Sequence, residues 1–115
     1  MAINRRDALK CGISYGTGVI NHGNDSVVYN RELKKFPANE TYPQLKAAID
    51  SQDLEAAKTA AAAFRQLCGD LALSDVYMKL EPICKSLDED SLPSIAEINE
   101  VDDAYSVVVN YLENA

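Results

Sequence analysis

Tryptophan is absent from this 115-residue sequence, and glycine and proline are scarce, with five and four residues respectively. Few residues therefore interrupt helices, and alanine, leucine, lysine and glutamate recur in long tracts, which favours helices over strands. Apolar residues make up 47% of the chain, enough for one core, and the length leaves no room for a second. We predict a single all-α domain over residues 1–115.

Long apolar runs are missing as well. No stretch approaches the roughly 20 residues of a membrane-spanning helix, and residues 1–7 lack the apolar segment of a signal peptide. The sequence therefore predicts a cytoplasmic protein that does not bind membranes.

Cysteine and histidine are too few for the sites that they usually build. Cys11, Cys68 and Cys84 are widely spaced and odd in number, and His22 is the one imidazole in the sequence. This set suggests neither a disulfide framework nor a zinc site, and we find no glycine-rich phosphate loop or Ser/His/Asp set. We expect buried, reduced thiols, no metal and no cofactor.

Negative charge is concentrated at one end of the chain. The net charge is −7; residues 1–71 carry nine basic and eight acidic side chains, whereas residues 72–115 carry two basic and ten acidic ones. An acidic surface repels phosphate backbones and anionic lipid. We therefore expect neither nucleic acid nor membranes as partners.

Apolar residues recur at helical spacing along most of the chain. The clearest stripe predicts a helix over residues 52–71: Leu54, Ala57, Ala61, Phe64, Cys68 and Leu71. A second predicts a helix over residues 74–87: Val76, Tyr77, Leu80, Ile83, Cys84 and Leu87. A third stripe covers residues 93–113, and an arm bent at two prolines covers residues 25–50. Because the later connections are short, we predict an up-and-down antiparallel four-helix bundle with a short N-terminal helical cap.

Polar residues ahead of these stripes predict where the helices begin. The expected N-caps are Asn4, Asp25, either Asp50 or Ser51, and Ser74, while Ser94 and Glu97 form a candidate capping box. Four glycines interrupt the first part of the chain and make a continuous helix there costly: Gly12, Gly16, Gly18 and Gly23.

Two segments resemble the histidine-containing phosphotransfer (HPt) family. The first, residues 18–36, has a glycine-rich turn followed by Tyr29, Leu33 and Phe36. The second, residues 53–73, is similar to the family pattern Ala-His-x-Leu-Lys-Gly. The matching residues, in order and without the variable position, are Ala61, Ala62, Phe64, Arg65 and Gln66. The resemblance covers roughly residues 13–112 and implies the family's helical bundle.

The resemblance also implies that the family's chemistry is lost. A phosphorelay needs an imidazole nitrogen that attacks an aspartyl phosphate and passes the phosphoryl group on. Ala62 takes the place of that histidine and has no nucleophile. His22 is the alternative acceptor, but it lies in a turn sequence, where a local hydrogen bond is expected. We therefore predict that the protein is not an enzyme.

The predicted function is that of a non-catalytic module in two-component phosphorelay signalling. Its expected partner is a response-regulator receiver domain or a histidine kinase. The expected partner-binding residues lie along one helix: Lys58, Thr59, Ala62, Arg65, Gln66 and Gly69. Arg65 keeps a positive charge, whereas Gln66 adds bulk where the family has glycine. Two alternatives stay open, a helical protein–protein interaction domain unrelated to signalling and a phosphocarrier that uses His22.

Overall fold

The computed structural model describes residues 3–115, and the prediction of an all-α fold is confirmed for them. No strand occurs among these residues. Met1 and Ala2, the start of the predicted domain, lie outside the described residues. The helices are α1 Arg5–Lys10, α2 Tyr15–Asn21, α3 Ser26–Lys35, a 3-10 turn Phe36–Ala38, α4 Thr41–Asp50, α5 Leu54–Asp70, α6 Ser74–Asp88 and α7 Ile95–Glu113.

Side-chain caps explain where several helices begin. Asn4 accepts a hydrogen bond from the Asp7 amide, Asp25 caps α3, and Ser94 and Glu97 form the predicted capping box of α7. The expected cap of α5 was wrong, because Asp53 occupies that position and accepts from the Ala56 amide.

The expected cap of α6 was also wrong. Leu73 is the N-cap, and Ser74 is the first helical residue. Its hydroxyl forms a hydrogen bond with the hydroxyl of Ser14, 2.6 Å away. Ser74 therefore joins the N-terminal segment to the start of α6 instead of capping the helix.

Three successive connections between helices contain the same type of tight turn. The residues that follow α4, α5 and α6 include one in the left-handed conformation each time: Gln52, Ala72 and Asp90. At the second turn, the Ala72 amide donates to the Gly69 carbonyl and the Leu73 amide donates to the Cys68 carbonyl. The other two turns repeat this pair of bonds, which defines the Schellman motif and satisfies the last carbonyls of a helix.

The predicted arm over residues 25–50 is divided into three pieces. α3 ends at Lys35, the 3-10 turn contains Pro37, and Asn39 has an extended backbone. The Asn39 side chain bonds the Phe36 carbonyl and the Tyr42 amide, which fixes the break. Pro43 causes no break, because it lies in the first turn of α4, where its missing N–H is not needed.

An aromatic cluster fills the middle of the core. The Phe64 ring centroid lies 6.1 Å from that of Phe36 and 4.8 Å from that of Tyr42. Tyr105 stacks on Tyr42 at 4.2 Å. Phe64 is fully buried, as its place in the α5 stripe predicted, whereas Tyr105 packs at the edge of the core. α5 is therefore oriented as the periodicity indicates.

Two of the four glycines lie inside a helix instead of breaking one. Gly12 and Gly23 have positive φ and separate the short helices, whereas Gly16 and Gly18 belong to α2. Gly18 lies against the ring of Tyr29, where an added Cβ would come within 1.9 Å of Cζ. The Tyr29 hydroxyl donates to the Leu71 carbonyl at 2.6 Å. Close packing at Gly18 thus fixes α2 against α3 and the end of α5.

The later helices pack in chain order. α4 contacts α5, α5 contacts α6, and α6 contacts α7, while the 3-10 turn and α3 also contact α7. None of the helices in residues 3–115 combines the length and apolar character that crossing a membrane requires.

Candidate functional site

Ala62 lies on the exposed face of α5. The same helix turns its buried residues toward the core: Ala57, Ala60, Ala61, Phe64 and Cys68. Beside Ala62, a groove of about 510 Å³ runs between α5 and α6. Five of the six residues predicted to bind a partner line this groove: Lys58, Ala62, Arg65, Gln66 and Gly69.

Thr59, the sixth predicted residue, lies elsewhere. It lines a second groove of about 530 Å³, between α4 and α5, together with Gln44, Ala47 and Ala63. Its hydroxyl donates to the Glu55 carbonyl one turn back along α5. The predicted set is therefore divided between the two sides of the exposed ridge of α5.

The wall of the α5–α6 groove is formed by a stacked pair, Arg65 and Tyr77. The guanidinium carbon of Arg65 lies 4.4 Å from the centroid of the Tyr77 ring. Gly69 makes room for that ring, because a Cβ at this position would lie 3.2 Å from Tyr77 Cε2. Arg65 Nε is buried, and residues 3–115 provide it with no hydrogen-bond partner. Stacking thus holds the guanidinium in place while leaving a donor unused.

Lys58 is already engaged at the other end of the groove. Its Nζ lies 2.5 Å from Oδ1 of Asp90 in the α6–α7 connection. The hydrogen bond from Lys58 to Asp90 is the main reason why the pKa of Lys58 is raised. Two further carboxylates, Asp70 and Asp88, line the groove. The groove therefore contains an ion-paired lysine and a stacked arginine, and it is not uniformly basic.

Two possible nucleophiles need to be located relative to this groove. Cys84 lines it, but burial raises the pKa of its thiol, only partly offset by the charge of Arg65. His22 is the C-cap residue of α2, and its Nδ1 lies 2.8 Å from the Gly18 carbonyl, which confirms the predicted local hydrogen bond. The ring packs 5.2 Å from that of Tyr29, away from the groove-lining residues. Cys84 is thus a poor nucleophile beside Ala62, and His22 is not among the residues that line the groove.

Sequence reasoning missed several residues of the site. The apolar spacing places Tyr77 in the core stripe of α6, but the residue is 38% exposed. Asp90 lies between the predicted helices 74–87 and 93–113, and its contact with Lys58 joins residues 32 positions apart. The spacing of apolar residues carries no signal for either feature. Asp88, the last residue of α6, also lies beyond the predicted helix 74–87 and was missed for the same reason.

A polar network lies apart from the groove and ties α4 to α7. The Tyr42 hydroxyl donates to Asp102, and Lys46 Nζ pairs with both oxygens of that carboxylate at 2.9 and 2.8 Å. Burial opposes ionisation of Asp102, but these two partners outweigh it and hold its pKa below the ordinary value. The network therefore has a structural role.

Residues 3–115 contain no group of three or more His, Cys, Asp or Glu side chains that could hold a metal ion. The three cysteines are free thiols, with Cys68 fully buried and the other two partly buried.

Comparison with known proteins gives no family for the chain. No protein-family model, no curated protein and no solved structure matches it, so the resemblance to HPt domains stays a prediction that depends on the residues quoted for it.

Proposed function

We propose that the protein is a non-catalytic, HPt-like module that binds a response-regulator receiver domain through the exposed face of α5. In this proposal, the α3–α4 arm and helices α5, α6 and α7 correspond to the four antiparallel members of an up-and-down bundle. The chain-order packing of these helices, and the contact of α3 with α7, support that assignment. A receiver partner implies that the protein works in the cytoplasm.

The observation that carries the proposal is the setting of Ala62. It is exposed on a helix whose opposite face is held in the core by Phe64, and it borders a groove that also contains Lys58 and Arg65. Small side chains at Ala62 and Gly69 leave room for an approaching surface. Positive charge beside them suits the acidic phosphorylation pocket of a receiver.

Phosphate transfer is not part of the proposed activity. The methyl group of Ala62 cannot attack an aspartyl phosphate. His22 is bonded to the Gly18 carbonyl and lies outside the groove. The module would therefore compete with, or hold, a receiver without receiving its phosphoryl group.

The direct test measures binding of purified receiver domains from the source genome by isothermal titration calorimetry. Ala62→Trp should abolish binding, because the indole would fill the space beside the groove. Ala63→Trp is the matched control, since Ala63 is also exposed on α5 but lines the α4–α5 groove. Arg65→Glu should weaken binding at low salt more than at high salt. If no receiver binds, or if both tryptophan variants bind equally, the proposal is wrong.

A gain-of-function variant gives a second, chemical test. In Ala62→His with Gln66→Gly, the new imidazole nitrogen should attack the phosphorus of the receiver's aspartyl phosphate. The acyl phosphate P–O bond then breaks and the aspartate carboxylate leaves. The variant should acquire acid-labile phosphate that the natural protein does not. Labelling of the natural protein that disappears in His22→Gln would instead identify His22 as the acceptor.

The charge balance of the groove favours a second candidate, a helical interaction domain unrelated to two-component signalling. Asp70 and Asp88 line the groove, and Asp90 forms an ion pair with Lys58. These carboxylates offset the two cations that would attract a receiver. This candidate predicts that receivers fail to bind, while another protein still binds the face around Ala62.

A further inference from the structure

The two cations of the α5–α6 groove are in different states. Lys58 is paired with Asp90 at 2.5 Å. Arg65 is stacked on Tyr77, and among the ion pairs of residues 3–115 none involves it. One positive charge of the groove is thus satisfied within the protein, and the other is open.

The geometry of α5 sets the spacing of these two residues along the helix. Lys58 and Arg65 are two turns apart, a rise of about 10 Å at about 1.5 Å per residue. Both line the same groove, and the side chains between them on that side are the methyl groups of Ala61 and Ala62. The floor between the cations is therefore flat and low.

The position of Asp90 is set by the backbone at the end of α6. Its φ of 58° places it in the left-handed conformation, and the amides of Asp90 and Ser91 bond back to Leu87 and Ser86. This Schellman turn directs the carboxylate of Asp90 toward Lys58, 32 residues earlier in the chain. The contact is thus built into the joint between α6 and α7.

We propose that the groove binds an acidic segment of a partner that presents two carboxylates two helical turns apart, and that Asp90 competes with one of them for Lys58. The first partner carboxylate pairs with Arg65, and the second displaces Asp90 from Lys58. The inference rests on the proposed function for the identity of the natural partner, but the acidic chemistry of the site can be tested without it.

Exchange at Lys58 explains how an acidic partner can bind beside Asp90, although Asp70 and Asp88 stay in the lining and oppose it. The partner's carboxylate replaces that of Asp90, so the charge in contact with Lys58 does not change. Asp90 is 74% exposed in this contact, and ion pairs at such exposed positions are weak enough to be displaced. The contact therefore lowers affinity moderately and does not close the groove.

The test uses a synthetic helical peptide of about 20 residues, acetylated and amidated, with two glutamates seven positions apart. Its glutamine analogue is the negative control. Binding is followed by NMR titration of the 15N-labelled full-length protein, with shifts expected for residues of the groove. Asp90→Asn, which tolerates the left-handed backbone and removes the charge, should tighten binding by about two- to five-fold. Glu89→Gln, the matched control, removes the same charge from the adjacent exposed residue and should have less effect.

A double-mutant cycle isolates the competition. In a Lys58→Gln background, Asp90→Asn should no longer tighten binding, because the two residues act through one contact. The inference is overturned if the glutamate peptide binds no better than its analogue, if Glu89→Gln and Asp90→Asn act equally, or if the gain persists without Lys58. If the peptide binds but no receiver does, the proposed function is wrong and this inference stands. If a receiver binds and Asp90→Asn does not change its affinity, this inference is wrong and the proposed function stands.

Discussion

Replacing Gly18 by alanine should place a methyl group inside the volume of the Tyr29 ring. The added Cβ would lie 1.9 Å from Cζ and 2.2 Å from the hydroxyl oxygen, far closer than atoms can approach. Tyr29 is fully buried, so it can move only by displacing its neighbours and weakening its bond to the Leu71 carbonyl. Overpacking costs about 1–3 kcal/mol and the lost hydrogen bond about 1 kcal/mol.

Part of that cost is offset, because alanine is a better helix former than glycine by about 1 kcal/mol. We therefore expect Gly18→Ala to lower the free energy of unfolding by about 1–3 kcal/mol. Gly16→Ala is the matched control in the same helix. Its Cβ would meet only the end of the exposed Arg5 side chain, at 3.2 Å. This variant should be as stable as the natural protein, or up to about 1 kcal/mol more stable.

The assay is urea denaturation followed by far-UV circular dichroism, since the signal comes from helices and a domain of this size is expected to unfold in one step. The critical result is that Gly18→Ala lowers the free energy of unfolding whereas Gly16→Ala does not. If Gly18→Ala proves as stable as Gly16→Ala, α2 does not pack against Tyr29 in the way described.

Two further predictions concern the core and the α4–α7 network. Phe64→Ala should cost about 3–5 kcal/mol in the same urea assay; a loss below about 1 kcal/mol would show that Phe64 is not central to the aromatic cluster. Folding lowers the pKa of Asp102 from 3.8, so its contribution to stability is complete above that value and is lost as the pH falls through the lower folded-state pKa. Asp102→Asn should therefore lose less stability than the natural protein as the pH falls below 3.8, and identical acid profiles would refute the role of Lys46 and Tyr42.

Local patterns predicted the later helices well. Side-chain spacing alone places Phe64 in the core and Ala62 outside it, because a helix repeats every 3.6 residues regardless of what packs on it. The Ser94–Glu97 capping box is equally local and was found from sequence. α5 began at a different cap from the expected one because Gln52 adopts a left-handed turn, a conformation that its residue type does not signal.

Features that depend on distant residues could not be predicted. Gly18 was expected to make a helix costly, yet it lies within α2, where the Tyr29 ring occupies the space that a side chain would take. At the candidate site, the position of Arg65 on the helix was predictable, but its stacking on Tyr77 was not. The pairing of Lys58 with Asp90 depends on how α6 ends, which no spacing within α5 can reveal.

The three repeated turns after α4, α5 and α6 leave no spare length between those helices. Each is held by two backbone hydrogen bonds across a few residues, so an inserted residue would break the bonds and rotate the next helix on its axis. The α2–α3 connection repeats the same pair of bonds, from the Gly23 amide to the Ile20 carbonyl and from the Asn24 amide to the Val19 carbonyl. A tag, a fluorescent reporter or an additional domain inserted in any of these four turns should therefore disturb the packing of the helix that follows.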